Sequence, residues 1–232
     1  MSKGPELSLV VPLFNEERNV ERVAASLARE FEAQGLDYEL VLVVNGSQDG
    51  TPAEVERLAR ANSRIRPVRL EQNAGYGGGI LAGLARCQGE FIGYTWGDGQ
   101  VSAADHVAIF LKLKREGLDL CKACRVERHD GWRRKVVTRV YNFIFPLLFR
   151  VSSGDSNGCP KIFRHEAFLR LQVTSRDWFI DPEIMIKSQR LGLAVGEVRV
   201  VFHAREHGAS NVGLKTIVEF VRNMIRYRVK GI

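Results

Sequence analysis

Two nearly continuous apolar runs near the N-terminus place the strongest limit on the fold of this chain. They are Leu7–Phe14, with the sequence LSLVVPLF, and Tyr38–Val44, with the sequence YELVLVV. Runs with so little polar alternation are typical of strands that are buried on both faces of a parallel sheet. Between them, apolar residues recur at helical spacing from Val20 to Phe31, and Gly35 ends the helix. This order predicts a β–α–β unit and an α/β fold.

The same alternation continues through the first half of the chain, where no linker or repeat divides it. The further predicted strands are Ile65–Leu70, Phe91–Thr95 and Leu118–Val126. A helix with Pro52 in its first turn is predicted between the second and third strands, and further helices are predicted from Ile80 to Cys87 and from Ala104 to Glu116.

Polar or glycine-rich loops follow three of these strands. They are Phe14-Asn15-Glu16, Val44-Asn45-Gly46-Ser47 and Trp96-Gly97-Asp98. Because ligands of open α/β sheets bind beyond the carboxyl ends of the strands, we expect these loops to converge on one nucleotide site. Asn15 also belongs to a residue type that caps helices, and we predict that it caps the first one.

A single carboxylate, Asp98, stands in the glycine-flanked turn after the strand Phe91–Thr95. This position suits a hard divalent cation bound against a diphosphate, because Mg²⁺ usually combines one or two carboxylates with phosphate oxygens. The alternative is a plain Asp-Gly turn, in which Asp98 is a turn or capping residue. Taken by itself, this short stretch favours the turn.

A glycine-rich segment, Asn73–Gly79, precedes the helix predicted from Ile80. Such a segment can hold phosphate with its backbone amides, although it matches neither the dinucleotide fingerprint nor the P-loop. Close packing of the helix on the sheet explains these glycines equally well.

Charge and cysteine content restrict the partners and the compartment. The chain has 232 residues and a formal net charge of +7, which suits nucleotides, lipid phosphates or a membrane surface. Cys121 and Cys124 have CxxC spacing, but residues three apart on a strand face opposite ways, so we expect neither a metal site nor a redox pair. The N-terminal apolar run is short and leads into a charged helix, unlike a signal peptide. We therefore predict a reduced, cytoplasmic compartment.

Two later segments combine basic residues with an apolar face. Val140–Phe149 is uncharged and follows a basic cluster, and the C-terminal segment carries an apolar stripe from Ile217 to Ile225 among arginines. The first run is too short to span a bilayer, which takes about 20 apolar residues. It fits a helix in the membrane interface and a buried core helix kinked at Pro146 equally well.

The order of the motifs resembles a known family. PLFNEE, VVNGSQDGT, NAGYGGGILAGL and WGDGQV follow one another as in the inverting family 2 glycosyltransferases of GT-A fold. The later segments resemble the branch that transfers sugars to polyprenyl phosphates, the dolichyl-phosphate mannose synthase-like enzymes. That similarity rests on the stretches 124–134, 154–164, 181–183 and 197–210, and it covers nearly the whole chain.

The resemblance implies an architecture and a reaction. Residues 1–210 would form a GT-A domain, a Rossmann-like, mostly parallel sheet flanked by helices. The apolar stripe and its arginines predict a C-terminal amphipathic basic helix over residues 211–232, which could face a membrane. The implied enzyme moves a sugar from a nucleotide-sugar donor, GDP-mannose or a UDP-sugar, to a polyprenyl phosphate with inversion at the anomeric carbon. The implied cofactor is Mg²⁺ or Mn²⁺. The implied place is the cytoplasmic membrane face, through peripheral contact or a separate membrane subunit, and no nucleic-acid partner is expected.

The resemblance also assigns roles to single residues. The nucleotide contacts fall on Pro12, Asn15, Glu16, Asn45, Gly75, Gly79, Asp98 and Gln100. The metal ligands would be Asp98 and Gln100. The catalytic residues would be Asp98, Asp155, Arg125 and Arg205. The acceptor and its phosphate would be held by Arg133, Arg134 and Ser210.

Three departures from the family pattern leave a second hypothesis open. Val44-Asn45 stands where the family has Asp-Asp, Trp96 replaces the first Asp of the DxD motif, and Asn211 replaces a Lys. A catalytically inactive nucleotide-binding homologue would carry such changes.

A third hypothesis is a soluble transferase that acts on a glycan or small-molecule hydroxyl. A hydroxyl acceptor needs a carboxylate base, and Asp155 is the first candidate, followed by Asp181 and Glu183. The last two also fit the start of a helix, where acidic residues are favoured. A phosphate acceptor is already ionised at neutral pH and needs no strong base.

Overall fold

The apolar runs of the sequence form the centre of a seven-stranded sheet with helices on both faces. The structure is a computed structural model, and it describes residues 4–128, 145, 149, 151, 155–204, 222–224 and 226–228. The strands are β1 Leu7–Leu13, β2 Tyr38–Asn45, β3 Ile65–Leu70, β4 Phe91–Tyr94, β5 Leu120–Arg128, β6 Lys161–Arg164 and β7 Val195–Phe202. The helices are α1 Val20–Ala33, α2 Thr51–Ala61, α3 Tyr76–Leu84, α4 Ala103–Arg115, α5 His165–Leu171 and α6 Ile180–Arg190.

The strand order explains where a ligand can bind. The sheet runs β3-β2-β1-β4-β6-β5-β7. Strand β6 is antiparallel to both of its neighbours, and the other pairs are parallel. From β1 the chain passes to β2 and β3 on one side and then returns to β4 on the other. The order therefore reverses between β1 and β4, and ligands of such sheets bind beyond the carboxyl ends of the strands at this point.

Each face of the sheet has its own apolar cluster. Along β1, Leu9 and Val11 belong to the cluster under α1, α2 and α4, whereas Val10 belongs to the cluster under α3, α5 and α6. Side chains alternate between the faces of a strand, so a strand that is covered on both sides must be apolar at nearly every position. This is why the unbroken run of the sequence correctly predicts a central strand.

The predicted cap of the first helix is wrong. Helix α1 begins at Val20, and Asn15 lies before it with a φ of 56°. Asn is one of the few residues that adopt this left-handed conformation readily. Its side-chain oxygen accepts a hydrogen bond from the backbone amide of Gln48 at 2.9 Å. Asn15 thus joins the loop after β1 to the loop after β2.

The described parts of the two apolar, basic segments pack against the domain. Phe145 is fully buried, and its ring lies 5.1 Å from that of Phe149, which in turn contacts Tyr227. Tyr227 is buried, while the arginines on either side of it are exposed. At these positions the contacts favour the core-helix alternative. The rest of both segments and the predicted boundary at residue 210 lie outside the described residues. Among the residues that the structure describes, no helix is long and apolar enough to cross a membrane.

Candidate functional site

The loops after β1, β2 and β4 meet at the switch point of the sheet, as the sequence predicts. The backbone amide of Asn15 donates to Ser47 Oγ at 3.1 Å, and the amide of Glu16 donates to Thr51 Oγ1 at 2.9 Å. On the other side, the Arg22 guanidinium donates to the backbone carbonyl of Asp98 at 3.3 Å. The loops after β1 and β2 are therefore joined directly, the loop after β4 is joined to them through α1, and together the three loops form the rim of the site. Pro12, near the end of β1, is paired with Val43 of β2 below this rim.

Asp98 is buried in the tight turn that follows β4. It is 6% exposed, and its Oδ1 accepts a hydrogen bond from the backbone amide of Gln100 at 3.2 Å. Gly99 has a φ of 70°, a conformation that a glycine adopts without strain. Gln100 donates from Nε2 to the His203 carbonyl, and its own carbonyl accepts from the His203 amide. The turn is thereby fixed to the end of β7.

Trp96, which stands at the first acidic position of the family motif, is held by aromatic neighbours. Its indole N–H donates to the Tyr76 hydroxyl at 2.7 Å, and the Tyr76 ring stacks on Trp178 with centroids 4.3 Å apart. The Arg125 guanidinium lies 5.4 Å from the Trp96 ring centroid, a distance typical of a cation–π contact. An indole offers no oxygen to a metal, so at this position an aromatic anchor replaces a ligand.

Arg125 and Asp155 form a buried bidentate ion pair. Arg125 Nε lies 2.6 Å from Asp155 Oδ2, and Nη2 lies 2.8 Å from Oδ1. Burial alone would raise the pKa of Asp155, but the hydrogen bonds and charge of Arg125 outweigh it and hold the pKa at about 2. A general base needs a pKa near the working pH and an oxygen within reach of the acceptor. Asp155 therefore does not fit the role of base that a hydroxyl acceptor would require.

The other two candidate bases are likewise bound by cations. Asp181 Oδ1 contacts Lys161 Nζ and accepts a hydrogen bond from the Tyr94 hydroxyl at 2.6 Å. Glu183 is fully buried and lies 2.6 Å from Lys187 Nζ. Both acids stand in the first turn of α6, where helix-start residues were expected. Their partners make them structural anchors of that helix.

Two fully buried lysines of the sheet, which the sequence pattern does not reveal, contact Asp155 and Asp181. Lys122 of β5 and Lys161 of β6 are register partners on neighbouring strands. Lys122 Nζ donates to the Asp155 carbonyl at 2.6 Å and lies 2.9 Å from Glu197. Burial lowers the pKa of Lys122, and the charge of Lys161 lowers it further. A lysine within a strand normally indicates a solvent-facing position, so only the pairing of strands identifies these two.

Asn45 holds the glycine-rich segment. Its Nδ2 donates to the Gly75 carbonyl at 3.0 Å and to Asn73 Oδ1 at 3.3 Å, and its Oδ1 accepts from the Ala74 amide at 2.9 Å. A Cβ atom on Gly79 would lie 2.9 Å from Asn45 Nδ2. The close-packing explanation for the glycines is therefore the one that the contacts support.

Helix α3 begins at Tyr76, inside the glycine-rich segment, and not at Ile80 as predicted. The amides of Gly78 and Gly79 are engaged by the carbonyls of Arg176 and Gly75. These amides are thus used within the protein. Glu16, another predicted nucleotide contact, accepts a hydrogen bond from Asn19 Nδ2 at 2.6 Å.

His106 of α4 closes the loop that carries Asp98. Its ring nitrogens lie 2.7 Å from the Ser102 carbonyl and 2.7 Å from Thr95 Oγ1. Burial holds the pKa of His106 at about 4, so the ring is neutral at physiological pH. His106 also lines a cleft of about 480 Å³ between α1 and α4, together with Arg22 and His203. No motif in the sequence distinguishes this histidine from an ordinary residue of an amphipathic helix.

Four of the predicted site residues cannot be placed. Arg133, Arg134, Arg205 and Ser210 lie outside the described residues. Within the described part of the chain, no group of three His, Cys, Asp or Glu side chains could hold a metal ion. A metal at Asp98 would therefore share its coordination between this carboxylate, the side-chain oxygen of Gln100 and oxygens of the ligand.

Comparison with known proteins decides the family. The sequence pattern described as "Glycosyl transferase family 2" matches residues 8–171, which include most of β1, all of β2 to β6, Asp98 and Asp155. The chain belongs to glycosyl transferase family 2. The resemblance drawn from the motifs is thereby confirmed.

Several proteins are similar to this family 2 member along most of its length. A dodecaprenyl-phosphate galacturonate synthase of Rhizobium johnstonii is 31% identical over 229 residues, which are 95% of this chain and 65% of that protein. An undecaprenyl-phosphate 4-deoxy-4-formamido-L-arabinose transferase of Edwardsiella ictaluri is 26% identical over 222 residues, or 94% of this chain and 66% of that protein. The chain thus spans slightly less than two thirds of the length of these curated relatives.

Solved structures share the fold of this family 2 member. Glucosyl-3-phosphoglycerate synthase from Mycobacterium tuberculosis in complex with phosphoglyceric acid superposes with a TM-score of 0.72 at 22% identity, covering 98% of this chain and 80% of the other. The same enzyme with Mn²⁺, uridine diphosphate and glucosyl-3-phosphoglycerate gives a TM-score of 0.70, covering 96% and 78%. The predicted mostly parallel sheet flanked by helices is confirmed.

Proposed function

We propose that this chain is a glycosyltransferase that moves a sugar from a nucleotide-sugar donor to a polyprenyl phosphate, with inversion at the anomeric carbon. One observation carries the choice of acceptor. Each of the three carboxylates that are candidates for a base, Asp155, Asp181 and Glu183, is bound by a basic side chain. A hydroxyl acceptor would need such a base, whereas a phosphate is already an ionised nucleophile.

The similarity to the bacterial relatives supports the same acceptor. These relatives are dodecaprenyl-phosphate and undecaprenyl-phosphate sugar transferases, and each matches this chain over 94% of its length or more. We extend that acceptor class to this chain as a proposal. The donor would be a UDP-sugar or GDP-mannose, held by Asn15 and Glu16 of the rim and by Pro12 below it.

The residues around Asp98 fit a divalent cation that is bound together with a diphosphate. Asp98 is a buried carboxylate at the switch point, and the Nε2 of Gln100 is engaged by His203, so its side-chain oxygen is the atom suited to a metal. One carboxylate plus diphosphate oxygens is a coordination that Mg²⁺ commonly adopts in proteins. We propose Mg²⁺ or Mn²⁺ here. When bound, such an ion neutralises negative charge on the leaving diphosphate.

The chain's own residues would supply orientation and charge. Arg125 lies against Trp96, two residues from Asp98, and Asp155 fixes its guanidinium plane through two hydrogen bonds. A fixed cation beside the turn would stabilise charge on the leaving group without reorganising during the reaction. From the family resemblance, Arg133, Arg134, Arg205 and Ser210 would hold the acceptor phosphate. We further propose that the enzyme acts at the cytoplasmic membrane face, through peripheral contact or a separate membrane subunit.

The second candidate function is a nucleotide-binding homologue without activity. Trp96 and Asn45 favour it, because both occupy acidic positions of the family and both are engaged in contacts within the protein. Hydrolysis of the donor in the presence of Mg²⁺ or Mn²⁺ distinguishes the two candidates, since an inactive homologue would produce no free sugar.

The decisive experiment replaces the proposed metal ligand. Asp98→Asn should abolish metal-dependent binding of uridine or guanosine diphosphate in calorimetric titrations and leave the melting temperature nearly unchanged. Asp37→Asn is the matched control, because Asp37 is an exposed carboxylate just before β2, at the opposite end of the strands from Asp98. Transfer should proceed to polyprenyl phosphate and not to the free polyprenol. Metal-dependent turnover of Asp98→Asn at the wild-type rate, or equal transfer to the free alcohol, would refute the proposal.

A further inference from the structure

The loop between β4 and α4 is closed at its base by one side chain. Thr95 immediately follows β4, Ser102 immediately precedes α4, and Asp98 lies between them. His106, one turn into α4, reaches the Ser102 carbonyl with Nδ1 and the Thr95 hydroxyl with Nε2, at 2.7 Å in each case. The ring thus joins the two ends of a segment that it does not belong to.

The chemistry of the two partners fixes the direction of these hydrogen bonds. A carbonyl oxygen can only accept, so Nδ1 carries the proton and donates to Ser102. A neutral imidazole then has a lone pair on Nε2, which accepts from the Thr95 hydroxyl. Both Thr95 and His106 are 2% exposed, so neither bond competes with bulk water.

The middle of the loop is held by contacts of a different kind. Arg22 donates to the Asp98 carbonyl, Gln100 is bonded to His203, and the Trp96 indole to Tyr76. These contacts come from α1, from the end of β7 and from α3. Each fixes a single point, whereas His106 fixes the distance between the two points where the loop leaves the sheet and enters the helix.

We propose that His106 is a positioning residue that sets the orientation of Asp98 toward the metal-bound diphosphate of the donor. The inference rests on the proposed function, and it explains how one carboxylate can serve where the family pattern has two. In a site with a single protein carboxylate, few other protein ligands hold the metal in place if that carboxylate is displaced. Small displacements of positioning groups in active sites cost large factors in affinity and rate.

Two substitutions remove the same hydrogen bond from opposite sides. His106→Asn keeps an amide N–H for the Ser102 carbonyl but is too short to reach Thr95, and Thr95→Val removes the hydroxyl at nearly constant volume. Hydrogen exchange of peptides covering residues 96–101 reports the loop directly. We expect exchange there to accelerate about tenfold in each variant, the factor that corresponds to one buried hydrogen bond. The double variant should be no faster, because both changes remove one interaction.

The second measurement is calorimetric titration with uridine diphosphate under two conditions, one with Mn²⁺ present and one with a chelator that removes metal. Both variants should bind the Mn²⁺ complex about tenfold more weakly, the factor that one buried hydrogen bond provides. Their affinity for the metal-free nucleotide should stay at the wild-type value, because the loops after β1 and β2 are untouched. A purely structural loss would weaken both equally. His165→Asn is the matched control, since this histidine also contacts a carbonyl through Nδ1 but lies at the opposite end of β4.

The two measurements separate the inference from the function it rests on. Unchanged exchange in residues 96–101 of both variants, or equal weakening with and without metal, overturns the role of His106. If the wild-type chain itself does not bind nucleotide with Mn²⁺, the proposed function fails. The exchange result then still decides whether His106 positions the loop.

Discussion

Lowering the pH should destabilise this protein through one histidine, and the structure gives the size of the effect. Burial holds the pKa of His106 at about 4, compared with 6.5 for an exposed histidine. At a pH between these two pKa values, the unfolded chain binds a proton at this position and the folded chain does not. The free energy of unfolding therefore falls as the pH drops through this window, and the contribution is constant above it.

The magnitude follows from the gap between the two pKa values. Each tenfold difference in proton affinity is worth about 1.4 kcal/mol, so the loss from His106 is about 2 kcal/mol at pH 5 and about 3 kcal/mol at pH 4. His106→Asn removes the titrating ring and should lack this loss. Because Asn also forfeits the bond to Thr95, the variant should start about 1 kcal/mol less stable at pH 7. The two curves should then meet and cross as the pH falls.

Urea unfolding at pH 7, 6, 5 and 4 measures this difference, since the free energy of unfolding falls linearly with denaturant. Subtracting the free energy of unfolding of the variant from that of the wild type cancels the contribution of the carboxylates, because they titrate in both proteins. Thr95→Val is the matched control. It loses the same hydrogen bond but keeps the buried ring, so its pH dependence should follow that of the wild type. A gap between wild type and His106→Asn that stays constant from pH 7 to pH 4 would refute the claim that this ring is buried and neutral.

Two further predictions concern buried polar contacts. Lys161→Met leaves the Asp181 carboxylate buried without its cation and should lower the free energy of unfolding by about 3–5 kcal/mol in urea titrations. Much of this loss should be recovered in the Lys161→Met, Asp181→Asn double variant. A loss below about 1 kcal/mol, the size of an exposed pair, would contradict this account. Asn45→Asp restores the acidic residue of the family pattern but places a carboxylate oxygen against the Gly75 carbonyl and Asn73 Oδ1, and should cost about 1–3 kcal/mol at pH 8. Equal melting temperatures for Asn45→Asp and wild type would show that Asn45 does not hold this loop.

The sequence predicted the bounds of the first three strands to within one residue. Strand β3 has the predicted bounds, and β1 and β2 each differ from the prediction by one residue at the C-terminal end. The position of Asp98 after β4 was also predicted, because the glycines beside it mark a turn. These features are encoded in neighbouring residues, and hydrophobic periodicity and turn chemistry are local signals.

The start of the first helix shows where local signals mislead. Asn15 has the right type for a cap, but its side chain bonds to the loop after β2, and the helix begins at Val20. Propensity cannot distinguish a cap from a loop contact when the partner lies 33 positions further along the chain. The predicted start of α3, at Ile80, was too late for a similar reason. Glycines have a low helix propensity, but here they lie within the helix because its close packing requires them.

What the sequence determined by itself is the α/β order of the elements, the family, and the place of Asp98 at the end of β4. Only the tertiary structure decided which charged side chains pair with one another. Arg125 meets Asp155 across 30 positions and Asp181 meets Lys161 across 20. The pairing of Lys122 with Lys161 depends on the insertion of the antiparallel strand β6 between β4 and β5. Burial and partner choice set the charge state and orientation of each group, and both arise from contacts between distant segments. They are therefore properties of the folded chain that no local pattern encodes.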